Sequence, residues 1–288
     1  MAGPFGTVSW AGGDGHNIPL QQDGKNAYYL TLAWYATGTE IWLTRAKNTI
    51  LAWGSTLKDL NEHIQGGEGL AYMTAAAEIL RASASDSGWS SENTKTYLGM
   101  IDRISAGWNE TRGLVGPNFF MNQGAYGNSG AMNVAVFSDN RDLYEDMVYH
   151  ATVGANPDPS IDYAIPIQIS GDKDFYGQVT EMGPRIQGTS GVDFFTQNSS
   201  RLLAGWEYWS RYNSGDDDVP WEPKATPQRL VTRSLHPLET IGVAYHEYYR
   251  RGDASEMPHH LAYMKWQGLG WDAFEWGDDG SLKAIGLL

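Results

Sequence analysis

Apolar residues recur along much of the chain at the spacing of one helix face, in segments that come in pairs. Residues 25–36 carry Ala27, Leu30, Ala33 and Trp34 on one stripe, and Thr37-Gly38 then supplies a turn. Residues 39–60 follow at once, with Ile41, Trp42, Ala46, Ile50, Leu51, Trp53 and Leu57 opposite a polar face. The pattern predicts a second pair at 70–84 and 91–106, broken by Asp86-Ser87-Gly88, with Tyr97, Met100, Ile101 and Ile104 on its second stripe. A third pair is predicted at 123–137 and 141–152, separated by Ser138-Asp139-Asn140, with Asp139 as the N-cap. Short turns between amphipathic helices imply antiparallel neighbours.

The middle of the chain breaks this rhythm. Residues 161–183 hold two short strand-like runs around Gly171-Asp172, which predicts a loop or small hairpin. Helices resume at 193–212 and 238–251. The tail after Pro258 is rich in Gly and Trp with little periodicity, so it is expected to pack back over the body without regular structure. No linker or low-complexity tract marks a seam, which predicts one all-α domain over residues 1–288.

Composition narrows the function. The chain of 288 residues has no cysteine, which removes thiol catalysis, disulfides and thiolate metal sites. Its net charge of −14 argues against nucleic acid or an anionic membrane as partner, because phosphate binding relies on a cationic surface. No apolar run approaches the ~20 residues needed to cross a bilayer. Trp and Tyr number 12 and 16 against 8 Phe, and their flat faces with polar handles suit a groove that stacks sugar rings as well as ordinary helix interfaces.

Several chemistries lack a scaffold. His259-His260 is adjacent rather than spaced by one helical turn, and no His-Glu-x-x-His occurs, so a zinc hydrolase is not expected. Asp216-Asp217-Asp218 lacks the spacing and closing Glu of a calcium loop and reads as a solvated turn. Neither a nucleophile elbow nor a phosphate or dinucleotide loop is present, and no metal or other cofactor is expected.

Five ordered segments carry a resemblance. They are Leu20-Gln21-Gln22-Asp23-Gly24; Asn122-Gln123-Gly124 through Gly130; Gly177-Gln178-Val179-Thr180-Glu181-Met182-Gly183; Trp206-Glu207-Tyr208-Trp209-Ser210-Arg211-Tyr212-Asn213; and Tyr245-His246-Glu247-Tyr248-Tyr249-Arg250-Arg251-Gly252. Together they resemble the alginate lyase superfamily of polysaccharide lyases, nearest its alginate and glucuronan lyase branch. The resemblance implies an incomplete (α/α) toroid with a short β-like crossing segment, and β-elimination on a uronate-containing acidic polysaccharide. It also implies a monomer that is secreted or periplasmic, here without its signal peptide. One segment departs from the family: where relatives read Glu-x-Gly-Arg-Asp-Gln-x-His, this chain reads Glu181-Met182-Gly183-Pro184-Arg185-Ile186-Gln187-Gly188-Thr189, without the histidine.

β-Elimination needs the uronate carboxylate neutralised, a base for the C5 proton and an acid for the leaving oxygen. The resemblance assigns proton transfer to Tyr245 and sets His236 where relatives carry an arginine before a proline. The residues themselves offer Tyr248 or Tyr249 as alternative proton carriers and, for carboxylate neutralisation, the side-chain amides of Asn122 and Gln123 at a helix start and the bidentate fork of Arg185. Gln123, Gln187, Glu181, His16, Tyr126, Tyr248 and Arg250 are the expected substrate-binding residues, with His16 in a flexible glycine-rich loop at the groove. Two rival readings stay open. A glycoside hydrolase would use a carboxylate pair drawn from Glu181, Asp193, Glu207 and Glu239, and an inactive glycan-binding protein would keep only the aromatic groove.

Overall fold

A computed structural model describes residues 1–9, 15–61, 65–105, 121–152, 197–216, 248 and 254–267. The chain divides into two compact units, Met1–Tyr163 and Ala164–Leu288. The described residues are mostly helical, as the periodicity predicts, with one small sheet of strands β1 (Thr7–Ser9) and β2 (Asp59–Asn61). These strands pair in parallel, Thr7 against Asp59, Val8 against Leu60 and Ser9 against Asn61. The hairpin expected at 161–183 and the helix expected at 238–251 lie outside the described residues, apart from Tyr248, which is helical.

In the N-terminal unit the helices are α1 (Asn17–Thr37), α2 (Glu40–Thr56), α3 (Gln65–Ala82), α4 (Ala84–Ser87), α5 (Ser91–Ser105), α6 (Met121–Phe137) and α7 (Arg141–Thr152). Helix α1 starts before Gly24, where the apolar pattern places its beginning. Pro19 is tolerated in its first turn because the amide it lacks has no intrahelical partner there, and the Leu20 N–H donates to the His16 carbonyl at 3.2 Å. At the other end Gly38 takes a left-handed φ of 66° and returns its N–H to the Trp34 carbonyl at 2.7 Å.

Side-chain registers give the helix directions. Gly24 of α1 lies against Gly69 of α3, and one turn further along both helices Tyr28 meets Tyr72, so α1 and α3 run parallel. Gly67 of α3 lies against Tyr126 and Gly130 of α6, and near their far ends Arg81 reaches the Phe137 carbonyl, so α3 and α6 are parallel too. In the same way Lys47, Gly54 and Leu57 of and after α2 meet Gly88, Tyr97 and Arg103 in ascending order, which makes α2 and α5 parallel. Thr74 hydrogen-bonds Tyr97 while Ser87 reaches back to Leu80, so α3 and α5 are antiparallel. Alternate helices therefore form two layers: α1, α3 and α6 side by side, with α2 and α5 stacked behind and α7 packed on α6.

The core fills the space between the layers with Leu20, Ile50, Trp53, Leu57, Leu70, Tyr97 and Phe137, all fully enclosed. Burying a Leu or Ile side chain of this kind contributes about 2 kcal/mol. Tyr97 packs edge-on against Phe137 with centroids 5.0 Å apart, and burial holds its phenol proton far above the ordinary tyrosine range.

Within the first layer the backbones approach unusually closely. A Cβ on Gly24 would sit 2.2 Å from the Gly69 carbonyl oxygen, and one on Gly130 would sit 2.7 Å from that of Gly67. Glycine is thus required for contact rather than for a turn.

Helix ends are closed by neighbours. Arg103 of α5 donates to the Leu57 and Gly54 carbonyls at 3.0 and 2.6 Å, Lys47 of α2 donates to those of Ser87 and Gly88, and Arg81 of α3 donates to that of Phe137 at 2.9 Å. Cations at helix C-termini complement the macrodipole. Between α6 and α7 the expected cap moves by one residue. Asp139, at φ 54°, is the left-handed residue that ends α6, while the Asn140 side chain accepts the Leu143 N–H at 3.0 Å. Asn140 also donates its N–H to the Ala135 carbonyl at 2.9 Å, so it ends one helix and caps the next.

In the C-terminal unit, α8 (Gln197–Asn213) packs on α9 (Pro258–Gln267), with a single 3-10 turn at Ala254–Glu256 before it. Residues 268–288 lie outside the described residues, and helix α9 corrects the start of the irregular tail expected after Pro258. Pro258 occupies its first position, where a fixed φ and a missing N–H favour a helix start. Trp206 and His260 lie in the α8–α9 interface with centroids 6.5 Å apart.

Candidate functional site

Parallel directions in the first layer put the N-terminal ends of α1, α3 and α6 at the same edge of the unit. Asn122 and Gln123 stand in the first turn of α6, inside the helix rather than at its cap. Helix starts direct unpaired backbone N–H groups outward, which favours anions. One turn further, the Tyr126 carbonyl closes on Gly67, the neighbour of Glu68 in the first turn of α3.

Glu68 is the centre of what the sequence did not disclose. It is 3% exposed, pairs with the Lys25 ammonium at 2.6 Å and accepts a hydrogen bond from the Gln21 amide. The Lys25 nitrogen also lies 5.6 Å from the Tyr72 ring centroid. Tyr72 is buried beneath half-buried Tyr28 and Tyr29, with centroids 5.4 and 6.1 Å away and rings tilted by 56° and 51°. Gln21, Lys25 and the Tyr28–Tyr29 pair follow one another at one-turn spacing on α1, and Glu68 and Tyr72 do so on α3. The sequence signal was a polar stripe beside an apolar one, which any surface helix has.

The other flank of α1 is structural. Asp23, 1% exposed, accepts the Ala2 and Gly3 N–H groups at 2.7 and 2.9 Å and the Trp53 indole N–H at 2.9 Å, with the N-terminal ammonium at 4.0 Å. Its carboxylate therefore ties the start of the chain to α2.

The predicted residues fare differently. His16 is held on this structural flank, not on a flexible loop: it stacks on Phe5 at 3.7 Å and 3°, and Phe5 meets Trp53 edge-on. Tyr126 is half-buried at the α3–α6 contact. Tyr248 is completely enclosed and packs edge-on against Trp206 at 6.3 Å, a core position rather than a groove surface. Tyr245, Arg185, His236, Gln187, Glu181 and Arg250 lie outside the described residues. The structure thus sets Tyr126 against the start of α3 and stacks His16, at the start of α1, on Phe5.

Carboxylate chemistry is narrowed at one position. Glu207 accepts the backbone N–H groups of His259 and His260 at 3.2 and 2.7 Å and so caps α9. Burial raises its carboxyl pKa, and those two hydrogen bonds hold part of the rise back. Such a cap is a structural commitment that a hydrolytic acid or base would have to break. Asp216 pairs with Arg211 rather than standing as a purely solvated turn residue. Among the described residues no group of His, Asp and Glu is placed to hold a metal ion, and no helix is long and apolar enough to cross a membrane. Comparison with family models, with curated proteins and with solved structures returned no match.

Proposed function

We propose that the protein is a polysaccharide lyase that cleaves a uronate-containing glycan of the alginate or glucuronan type, acting outside the cytoplasm as a monomer. The observation that carries the reading is the shared edge at which α1, α3 and α6 begin. There the start of α6 packs on α3 through Tyr126 and Gly67, and the neighbouring α1–α3 contact holds half-buried tyrosines and an ion pair. Two layers of helices, parallel within and antiparallel between, are the local pattern from which an incomplete (α/α) toroid is built, and the proposal extends that pattern to the whole chain.

In this reading Asn122, Arg185 and His236 neutralise the C5 carboxylate so that the adjacent C–H becomes acidic. Tyr245 removes the C5 proton, the electron pair forms the C4–C5 double bond, and the C4–O bond breaks with protonation of the leaving oxygen. Tyrosine at its ordinary pKa of ~10 is a weak base, so the reading requires nearby cations at Tyr245. Gln123, Tyr126, Gln187, Glu181 and Arg250 position the chain of sugars.

The second reading, an inactive glycan-binding protein, is favoured by one observation, the missing histidine between Glu181 and Thr189. A screen of alginate, polymannuronate, polyguluronate, glucuronan and glycosaminoglycans for the ultraviolet absorbance of an unsaturated uronate separates the two. Turnover on one of them is expected, and Tyr245→Phe should lower it by a factor of about 10²–10⁴. Asn122→Ala should reduce kcat more than binding, because charge develops beside it only in the transition state. Binding without turnover on every polymer would select the second reading.

A further inference from the structure

We infer that the face shared by α1 and α3 is a pyranose-binding subsite that reads a sugar ring through its hydroxyls and its apolar face rather than through its charge. The inference rests on the proposed glycan-handling role of the chain, and it assigns a place and a chemistry to one unit of that glycan.

Three features converge. Tyr28 and Tyr29 are half-buried on either side of buried Tyr72, with all three centroids within 6.1 Å of one another and the rings mutually tilted. A faceted aromatic surface of this kind matches the alternating C–H and O–H faces of a pyranose. Lys25 and Gln21 border it one and two turns away on the same helix face, adding a multi-donor ammonium and an amide oxygen acceptor. Glu68 fixes both, because its carboxylate takes Lys25 on one oxygen and Gln21 on the other.

That pairing decides the ligand's charge. Lys25 and Glu68 cancel at 2.6 Å, so the face presents polar groups with no net charge. A sugar carboxylate would have to compete with the enclosed Glu68 for Lys25, whereas hydroxyls can meet the face without breaking that pair. The subsite therefore accepts a glucose-like ring whether or not its C6 is oxidised, and leaves recognition of the carboxylate to the start of α6.

The test is calorimetric titration of the full chain with cellotetraose, which is neutral, and with tetraglucuronate, at low and high salt. Both probes should bind, and cellotetraose should show no salt dependence. Tyr29→Ala should weaken both by roughly tenfold, with Tyr28→Ala as an independent second variant. Tyr29→Phe should restore affinity by keeping the ring, and circular dichroism should show each variant folded. The inference is overturned if cellotetraose fails to bind wild type, if neither alanine variant changes affinity, or if only tetraglucuronate binds and does so with a steep salt dependence. Elimination activity is read separately. Tyrosine-dependent binding without turnover would remove the lyase reading and keep the subsite, and turnover with tyrosine-independent binding would do the reverse.

Discussion

Asp23 in the N-terminal unit and His260 in the C-terminal unit are both almost wholly enclosed, at 1% and 0% exposure, and their surroundings could hardly differ more. Asp23 accepts two backbone N–H groups and an indole N–H. Neither ring nitrogen of His260 has a hydrogen-bond partner among the described residues, and the buried Ser210 hydroxyl of the same unit also has none. A charge can be buried when donors come with it, while an unpartnered imidazole can be buried only by staying neutral. Burial alone accordingly depresses the His260 pKa to about 3. The first arrangement fixes a fold around a carboxylate; the second leaves a helix interface that responds to acid.

The comparison breaks most severely at the backbone contact beside Asp23. Gly24→Ala drives a methyl into the Gly69 carbonyl and should cost about 3 kcal/mol or more, read as a fall in the urea midpoint of the N-terminal unit. A midpoint within experimental error of wild type would show that α1 and α3 are not in backbone contact.

Next comes Asp23→Ala, which strands the Trp53 indole and two amides without an acceptor. The expected loss is about 3 kcal/mol, with proteolytic release of the first residues. Resistance of that segment to protease would count against the tether.

The smallest effect at neutral pH is His260→Leu, expected to be neutral or stabilising by about 1 kcal/mol because a costly polar group is replaced by an apolar one. Its larger signature is in acid. The unfolded chain takes up this proton near pH 6.5 and the folded chain only near about 3, so stability falls as pH drops through that window. The slope reaches about 1.4 kcal/mol per pH unit. Glu207 works in the opposite sense, because its raised pKa lets the folded state protonate first and offsets part of the loss at the acid end. The leucine variant should flatten the descent as pH drops below 6.5; an unchanged slope would assign it elsewhere.

Legibility in the sequence followed the helix period closely. The helices expected at 39–60 and 91–106 emerged because each buries one stripe, Leu43, Ala46, Ile50 and Trp53 in the first and Tyr97, Met100, Ile101 and Ile104 in the second, and the helical class with them. Breaker residues misled where they served packing. The helices expected at 25–36 and 70–84 start earlier, at Asn17 and Gln65, so that Gly24, Gly67 and Gly69 lie within α1 and α3, at points where backbones touch. Pro258 read as the start of an irregular tail and is instead the first residue of α9. Three-residue strands are too short to carry a pattern, so β1 went unseen and the helix expected at 39–60 overran β2, ending instead at Thr56. At the site, the helix carrying Gln123 was legible from local spacing, but it starts at Met121, two residues before the expected 123, which puts Asn122 inside it. The partnership of Gln21 and Lys25 with Glu68 was not, because it joins residues far apart in the chain whose register depends on how closely α1 and α3 approach.

The cations that close helix ends carry a consequence for local opening. Arg103 closes α2 from 46 residues away and Arg81 closes α6 from 56 residues away, so neither terminal turn is complete within its own helix. In native-state hydrogen exchange, protection of these last turns should then be a property of the partner helix: amides near Gly54 should open with α5, and those near Phe137 with α3. The N-terminal unit would exchange in blocks that cut across its hairpins, with cooperativity extending from layer to layer rather than along the chain.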